Sequence, residues 1–119
     1  MKSLLIVAHG SRRSESNSEI AQVAARLADK ARGEFDIVEH AFLELADPSI
    51  PEGIERCIAR GATSVQVVPY FLARGTHVAD DIPRQVAIKQ ATYPGMDIRI
   101  TDYLGCAEEL VDVLLRLAR

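Results

Sequence analysis

The chain contains no tryptophan, and its three tyrosines and three phenylalanines hold the aromatic share to 5%. Surfaces that stack single-stranded bases need such rings, so that class of function is disfavoured. A basic excess is missing as well. Fourteen Lys and Arg against 17 Asp and Glu leave a formal net charge of -3, and the basic residues are scattered rather than gathered into a stripe, which argues against a nucleic-acid module. No apolar run approaches the roughly 18 to 20 residues of a membrane span. The opening apolar run, residues 3–8, is also too short for a secretory signal and reads as a first strand. Only two cysteines occur, Cys57 and Cys106, far apart and in no CxxC pattern, so a reduced, cytoplasmic chain with two free thiols is expected. No short repeat, low-complexity tract or linker stands out. The 119 residues, 48% hydrophobic and 26% charged, suit one soluble globular domain over 1–119.

What is present is an alternation of strand-like and helix-like segments, the pattern of consecutive βα units. Strands are expected near residues 3–8, 36–43, 64–70 and 97–102. Ser16 with Glu19 reads as a capping box for a first helix that carries Ile20, Val23, Ala24, Leu27 and Ala31 on one face and stops at Gly33. Ser49-Ile50-Pro51-Glu52 repeats that logic for a second helix, whose stripe of Ile54, Cys57 and Ile58 puts Cys57 in the core. Val78, Ile82 and Val86 mark a third helix, in which Pro83 must lie in the first turn or at a kink. A fourth, over residues 107–118, should pack Leu110, Val113, Leu114 and Leu117 inward. The fold class is therefore α/β: three layers, with a mainly parallel four-stranded sheet and helices on both faces.

In such a sheet, ligands bind in the crevice beyond the carboxyl ends of the strands. His9 follows the first strand-like run, Glu44 ends the second, and His77 follows the third after a short loop. Two imidazoles and a carboxylate can hold a first-row transition metal or take protons near neutral pH. Each histidine alone has a plainer reading, His9 satisfied by a neighbouring carbonyl and His77 as a solvated loop residue, whereas Glu44, close to buried surface, needs a partner or the cleft. Three separate βα turns each delivering a metal-competent group to one sheet edge is what carries weight. Gly10 permits close backbone approach there and Ser11 adds a small hydroxyl. His40, inside the second strand, reads as a sheet-face residue.

The segments Leu5-Ile6-Val7-Ala8-His9-Gly10-Ser11-Arg12, Ala41-Phe42-Leu43-Glu44-Leu45-Ala46-Asp47-Pro48-Ser49 and Val68-Pro69-Tyr70-Phe71-Leu72-Ala73-Arg74-Gly75-Thr76-His77-Val78-Ala79-Asp80-Asp81-Ile82-Pro83 resemble the sirohydrochlorin chelatases, chelatase-like proteins of class II. Within them the chain is most similar to the short, single-domain CbiX type of cobaltochelatase, over nearly its whole length. The resemblance implies a chelatase-like, flavodoxin-like fold and insertion of a divalent metal into sirohydrochlorin on the way to cobalamin and related tetrapyrroles. Co²⁺ is the metal implied, with Fe²⁺ or Ni²⁺ as alternatives, since ligand type does not separate these ions. The metal is itself a substrate, so no organic cofactor is called for. The resemblance puts metal binding and catalysis on His9, His77 and Glu44. Gly10, Ser11, Arg12, Tyr70, Phe71, Leu72 and Arg74 are then the residues expected to bind the macrocycle, whose many carboxylates suit Arg12, Arg13 and Arg74. Long members of the family resemble two such domains face to face, so this chain is expected to form a symmetric homodimer.

One departure stands out. Many relatives carry Leu-Gly-x-His-Pro near the last strand, where this chain has Leu104-Gly105-Cys106-Ala107-Glu108. Cys106 is expected to be a small buried or half-buried thiol at a helix start rather than a soft ligand. Two rival functions are a histidine phosphatase and a non-catalytic carrier of metal or tetrapyrrole. The phosphatases carry Arg directly before the strand-end His, where this chain has Ala8, which leaves a transferring phosphoryl group without its nearest positive clamp. The carrier would share fold and ligands, and differs only in lacking turnover.

Overall fold

A computed structural model describes residues 1–119. Four strands, β1 (Lys2–Ala8), β2 (Ile37–Phe42), β3 (Ser64–Pro69) and β4 (Asp97–Ile100), form one parallel sheet in the order β2-β1-β3-β4. The chain starts in the middle, steps to one edge and returns to the other side. The point of reversal lies between β1 and β3, the place in an open α/β sheet beyond whose carboxyl ends ligands bind. In register, Ile6 pairs with His40 on one side and Val68 on the other.

Alternation along β1 divides the core. Leu5 and Val7 point into the larger cluster, with Ile37, Ala41, Val65, Val67 and Ile98 from the sheet, Ile50, Ile54 and Cys57 from α2 (Ile50–Ala59), and Ile82 and Val86 from α3 (Ile82–Thr92). Leu4 and Ile6 point the other way, where they meet Ala24, Val23 and Leu27 of α1 (Ser14–Lys30). Helices thus cover both faces, as the βα alternation predicts. Cys57 is fully buried, and that burial pushes its thiol up to about 11. His40 is half-buried on the face it shares with Phe42, their rings 5.5 Å apart, and desolvation lowers its pKa below the ordinary value.

The caps match the sequence in one helix and not in another. Ser49 Oγ accepts from the Glu52 N–H while Glu52 Oε1 accepts from the Ser49 N–H at 3.0 Å, the reciprocal box expected for α2. At α1 the expected Ser16/Glu19 box is absent. The helix begins two residues earlier at Ser14, with Arg13 in the capping position and no side-chain cap. Asn17 takes over, its side chain accepting from the Ser11 N–H at 3.0 Å and donating to the Ser11 carbonyl at 2.8 Å.

The fourth helix departs most from expectation. In α4 (Glu109–Ala118) no residue is buried; Leu114 is 60% and Leu117 72% exposed, joined by Val111 and Leu115. Its principal neighbour is the 3₁₀ turn Leu104–Cys106 just before it. The 3.6-residue period shows that an apolar face exists, and it says nothing about which surface that face meets. Cys106, expected to be at least half-buried, is exposed at the end of that turn. No helix is long and apolar enough to cross a membrane.

Candidate metal and tetrapyrrole site

His9 is the first residue past β1, and Glu44 lies two past β2. The two loops are laced together, since the Leu43 N–H donates to the Ala8 carbonyl at 2.9 Å and the Glu44 N–H to the His9 carbonyl at 3.0 Å. Gly10 makes this approach feasible. Its φ is +96°, and a Cβ there would lie 1.8 Å from the Glu44 carbonyl oxygen. Leu45, just after Glu44, is the one non-glycine residue with positive φ, at 67°, a backbone cost of the kind found at ligand sites. His77 arrives from the third unit in a π-helical turn, His77–Asp81, closed by the Ile82 N–H donating back to the His77 carbonyl. Pro83 is the second residue of α3, in the first turn as expected.

These elements bring His9, Glu44 and His77 together, with one ligand atom from each lying within 4.8 Å of the others. The imidazoles sit edge to face at 4.9 Å between centroids. Their hydrogen bonds determine which nitrogens are left free. His9 Nδ1 lies 2.9 Å from the Gly10 carbonyl and His77 Nδ1 lies 2.8 Å from Asp81 Oδ2. Both partners only accept, so each Nδ1 carries the hydrogen and each neutral ring leaves Nε2 bare. His9 Nε2 then meets Glu44 Oε2 at 3.0 Å. A lone pair against a carboxylate is repulsive unless a proton or a metal ion stands between them. Side-chain exposures of 42% for His9, 52% for Glu44 and 45% for His77 leave the group open to a large ligand.

The remaining candidates divide. Phe71 is half-buried with its ring 6.4 Å from that of His77, so it stands beside the histidines. Ser11 is spent on the loop itself, its Oγ accepting from the Arg13 N–H at 3.0 Å. Tyr70 turns to the α1 side, where it lines a cleft of about 340 Å³ with Ile20, Val23 and Arg26. Leu72 is 70% exposed. Arg12, Arg13 and Arg74 are exposed; Arg74 edges a cleft of about 440 Å³ that also takes in Val78, Tyr103 and Cys106. Hydrogen bonding to Cys106 raises the Tyr103 phenol above its ordinary pKa. Gly105 fits the 3₁₀ turn against the loop after β3, where a Cβ would lie 1.8 Å from the Leu72 carbonyl oxygen.

Sequence reasoning missed three residues that hold the site. Asn17 ties the His9 loop to α1. Gln85 donates to the Leu43 carbonyl at 3.2 Å, next to Glu44, and Asp81 holds His77. The i,i+4 spacing of His77 and Asp81 was the one available signal.

Comparison with known proteins agrees with this architecture. A sirohydrochlorin ferrochelatase of Priestia megaterium is 35% identical over 97% of this chain, which spans 42% of that protein. A sirohydrochlorin cobaltochelatase of Saccharolobus solfataricus is 36% identical over 98% of this chain and 92% of its own length. The sirohydrochlorin chelatase SirB of Bacillus subtilis subspecies spizizenii, solved in complex with cobalt, superposes with a TM-score of 0.86 at 35% identity, covering 98% of this chain and 49% of that one. The chain therefore spans about half the length of some relatives and nearly all of others. The CbiX family profile matches residues 3–119, and the chain belongs to the CbiX family.

Proposed function

We propose that this protein inserts a divalent metal, Co²⁺, into sirohydrochlorin, working in the cytoplasm as a symmetric homodimer of one chelatase-like domain per chain. The observation that carries the reading is that one ring nitrogen each from His9 and His77 and one Glu44 carboxylate oxygen lie within 4.8 Å of one another. Two imidazole nitrogens and one carboxylate oxygen form a donor set suited to Co²⁺. The names of the relatives support the choice of macrocycle.

Insertion exchanges the waters of a hydrated ion for four pyrrole-type nitrogens and releases two protons from the macrocycle. His9 and His77 offer nitrogens that replace waters on the incoming metal. Once the metal moves on, the same nitrogens accept the departing protons. A proton arriving on His9 Nε2 completes a charge-assisted hydrogen bond to Glu44, already at 3.0 Å, so this pair is the natural first acceptor. Phe71 and the exposed Leu72 supply apolar surface to the ring. Gly10 and Ser11 present backbone to it, Tyr70 adds an edge on the α1 side, and Arg12, Arg13 and Arg74 meet the carboxylate rim.

A second copy of the chain is the partner that fits the exposed apolar side of α4. A lone domain leaves Val111, Leu114, Leu115 and Leu117 in water, and a facing domain would also give the macrocycle its second wall. The ferrochelatase relatives favour one further reading, Fe²⁺ on the same three residues. Anaerobic insertion of Co²⁺ and Fe²⁺ into sirohydrochlorin, followed by absorbance, tests the activity and separates an enzyme from a carrier.

A further inference from the structure

We propose that Asp81 is a positioning residue that selects the metal-receptive tautomer of His77. The proposal rests on the reading of His9, Glu44 and His77 as the metal-receiving set. Asp81 follows His77 by four residues across the π-helical turn, and its Oδ2 accepts from His77 Nδ1 at 2.8 Å. Its other oxygen, Oδ1, accepts from Arg84 Nη1 at 3.3 Å. The Asp81 side chain is 26% exposed against 45% for His77, so the carboxylate is the more shielded member of the pair.

An unconstrained neutral imidazole carries its hydrogen mostly on Nε2, which would aim an N–H at the gap and close it to a cation. A carboxylate on Nδ1 reverses this preference, fixes the ring plane and makes Nε2 a stronger donor. His9 obtains the same tautomer from the Gly10 carbonyl, a neutral acceptor. His77, on a helical turn, uses an anion. One turn further along the same helix, Gln85 donates to the Leu43 carbonyl next to Glu44. Residues four apart on α3 and its entry thus steady two of the three arms, and a cleft of about 230 Å³ is bounded by Glu44, His77, Asp81, Arg84 and Gln85 together.

The test compares wild type, Asp81→Ala and His77→Ala. Imidazole ¹⁵N spectra of the metal-free proteins at about pH 8.5, well above imidazole's ordinary ionisation, report the tautomer. Calorimetry with Co²⁺ alone reports affinity. Wild-type His77 is expected with its hydrogen on Nδ1. In Asp81→Ala it should shift to Nε2, with Co²⁺ affinity falling about 10- to 100-fold while the His9 signals and thermal midpoint stay put. A wild-type His77 tautomer and wild-type affinity in Asp81→Ala would overturn the proposal. Undiminished Co²⁺ affinity in His77→Ala would instead remove the metal reading on which it rests, so the two failures are distinguishable.

Discussion

His9 Nε2 and Glu44 Oε2 face each other at 3.0 Å, and in the neutral imidazole neither atom brings a hydrogen to the contact, because the ring's one hydrogen is committed to the Gly10 carbonyl. A cation must complete the pair. Protons and Co²⁺ therefore compete for one position, and the same holds for the bare Nε2 of His77. Co²⁺ affinity is expected to be higher at about pH 8.5 than at about pH 5, because a protonated imidazole cannot ligate. Titration in a non-coordinating buffer checks this. A flat profile across that range would show that no imidazole takes part in binding.

Gly10→Ala should be more damaging than a one-methyl change suggests. The new Cβ would overlap the Glu44 carbonyl at a φ of +96°, so the His9 and Glu44 loops must part. The strain alone is of order 1–3 kcal/mol. Denaturant unfolding should show that loss and calorimetry a collapse of Co²⁺ affinity. Wild-type values for both would mean the loops are not held as described.

The exposed side of α4 predicts assembly. Light scattering at micromolar concentration should give twice the 13.0 kDa chain mass. The double variant Leu114→Asp, Leu117→Asp, which puts charge on residues 60% and 72% exposed in the single chain, should give the monomer with its fold intact by circular dichroism. A monomeric wild type that retains insertion activity would contradict the dimer.

Acid should loosen the packing of α2 on α3. Hydrogen bonds from Lys89 and then Tyr93 hold the Glu55 carboxyl below its ordinary pKa of 4.5. A folded-state value below the unfolded one contributes stability that is fully present above the unfolded value and is lost as pH falls through the folded one. Stability should therefore drop as pH is lowered below about 4.5, with a shallower drop in Glu55→Gln. Equal slopes in the two proteins would remove Glu55 as a source.

The four strands were legible in the sequence to within about two residues, because β-branched runs bounded by Gly, Pro and charge have few alternatives. The meeting of His9, Glu44 and His77 was legible for a related reason: parallel strands deliver their following residues to one edge. Asn17, Asp81 and Gln85 were hidden, since their roles depend on how loops fold back and no periodicity encodes that. The start of α1 was misplaced because Ser16 and Glu19 have cap spacing while Asn17 does the tying. For α4 the pattern gave a face without its counterpart. Cys106 was judged by the burial habit of free thiols, whereas the 3₁₀ turn leaves it in solvent.

The central claim is metal insertion by the two histidines, and multiple-turnover kinetics with Co²⁺ and sirohydrochlorin under anaerobic conditions test it most directly. Wild type should convert the macrocycle to its cobalt form over repeated turnovers, and His9→Ala and His77→Ala should each be at least about tenfold slower at saturating Co²⁺, the scale of a lost base or ligand, with the fold unchanged. A wild-type rate in either variant at saturating metal would contradict the account.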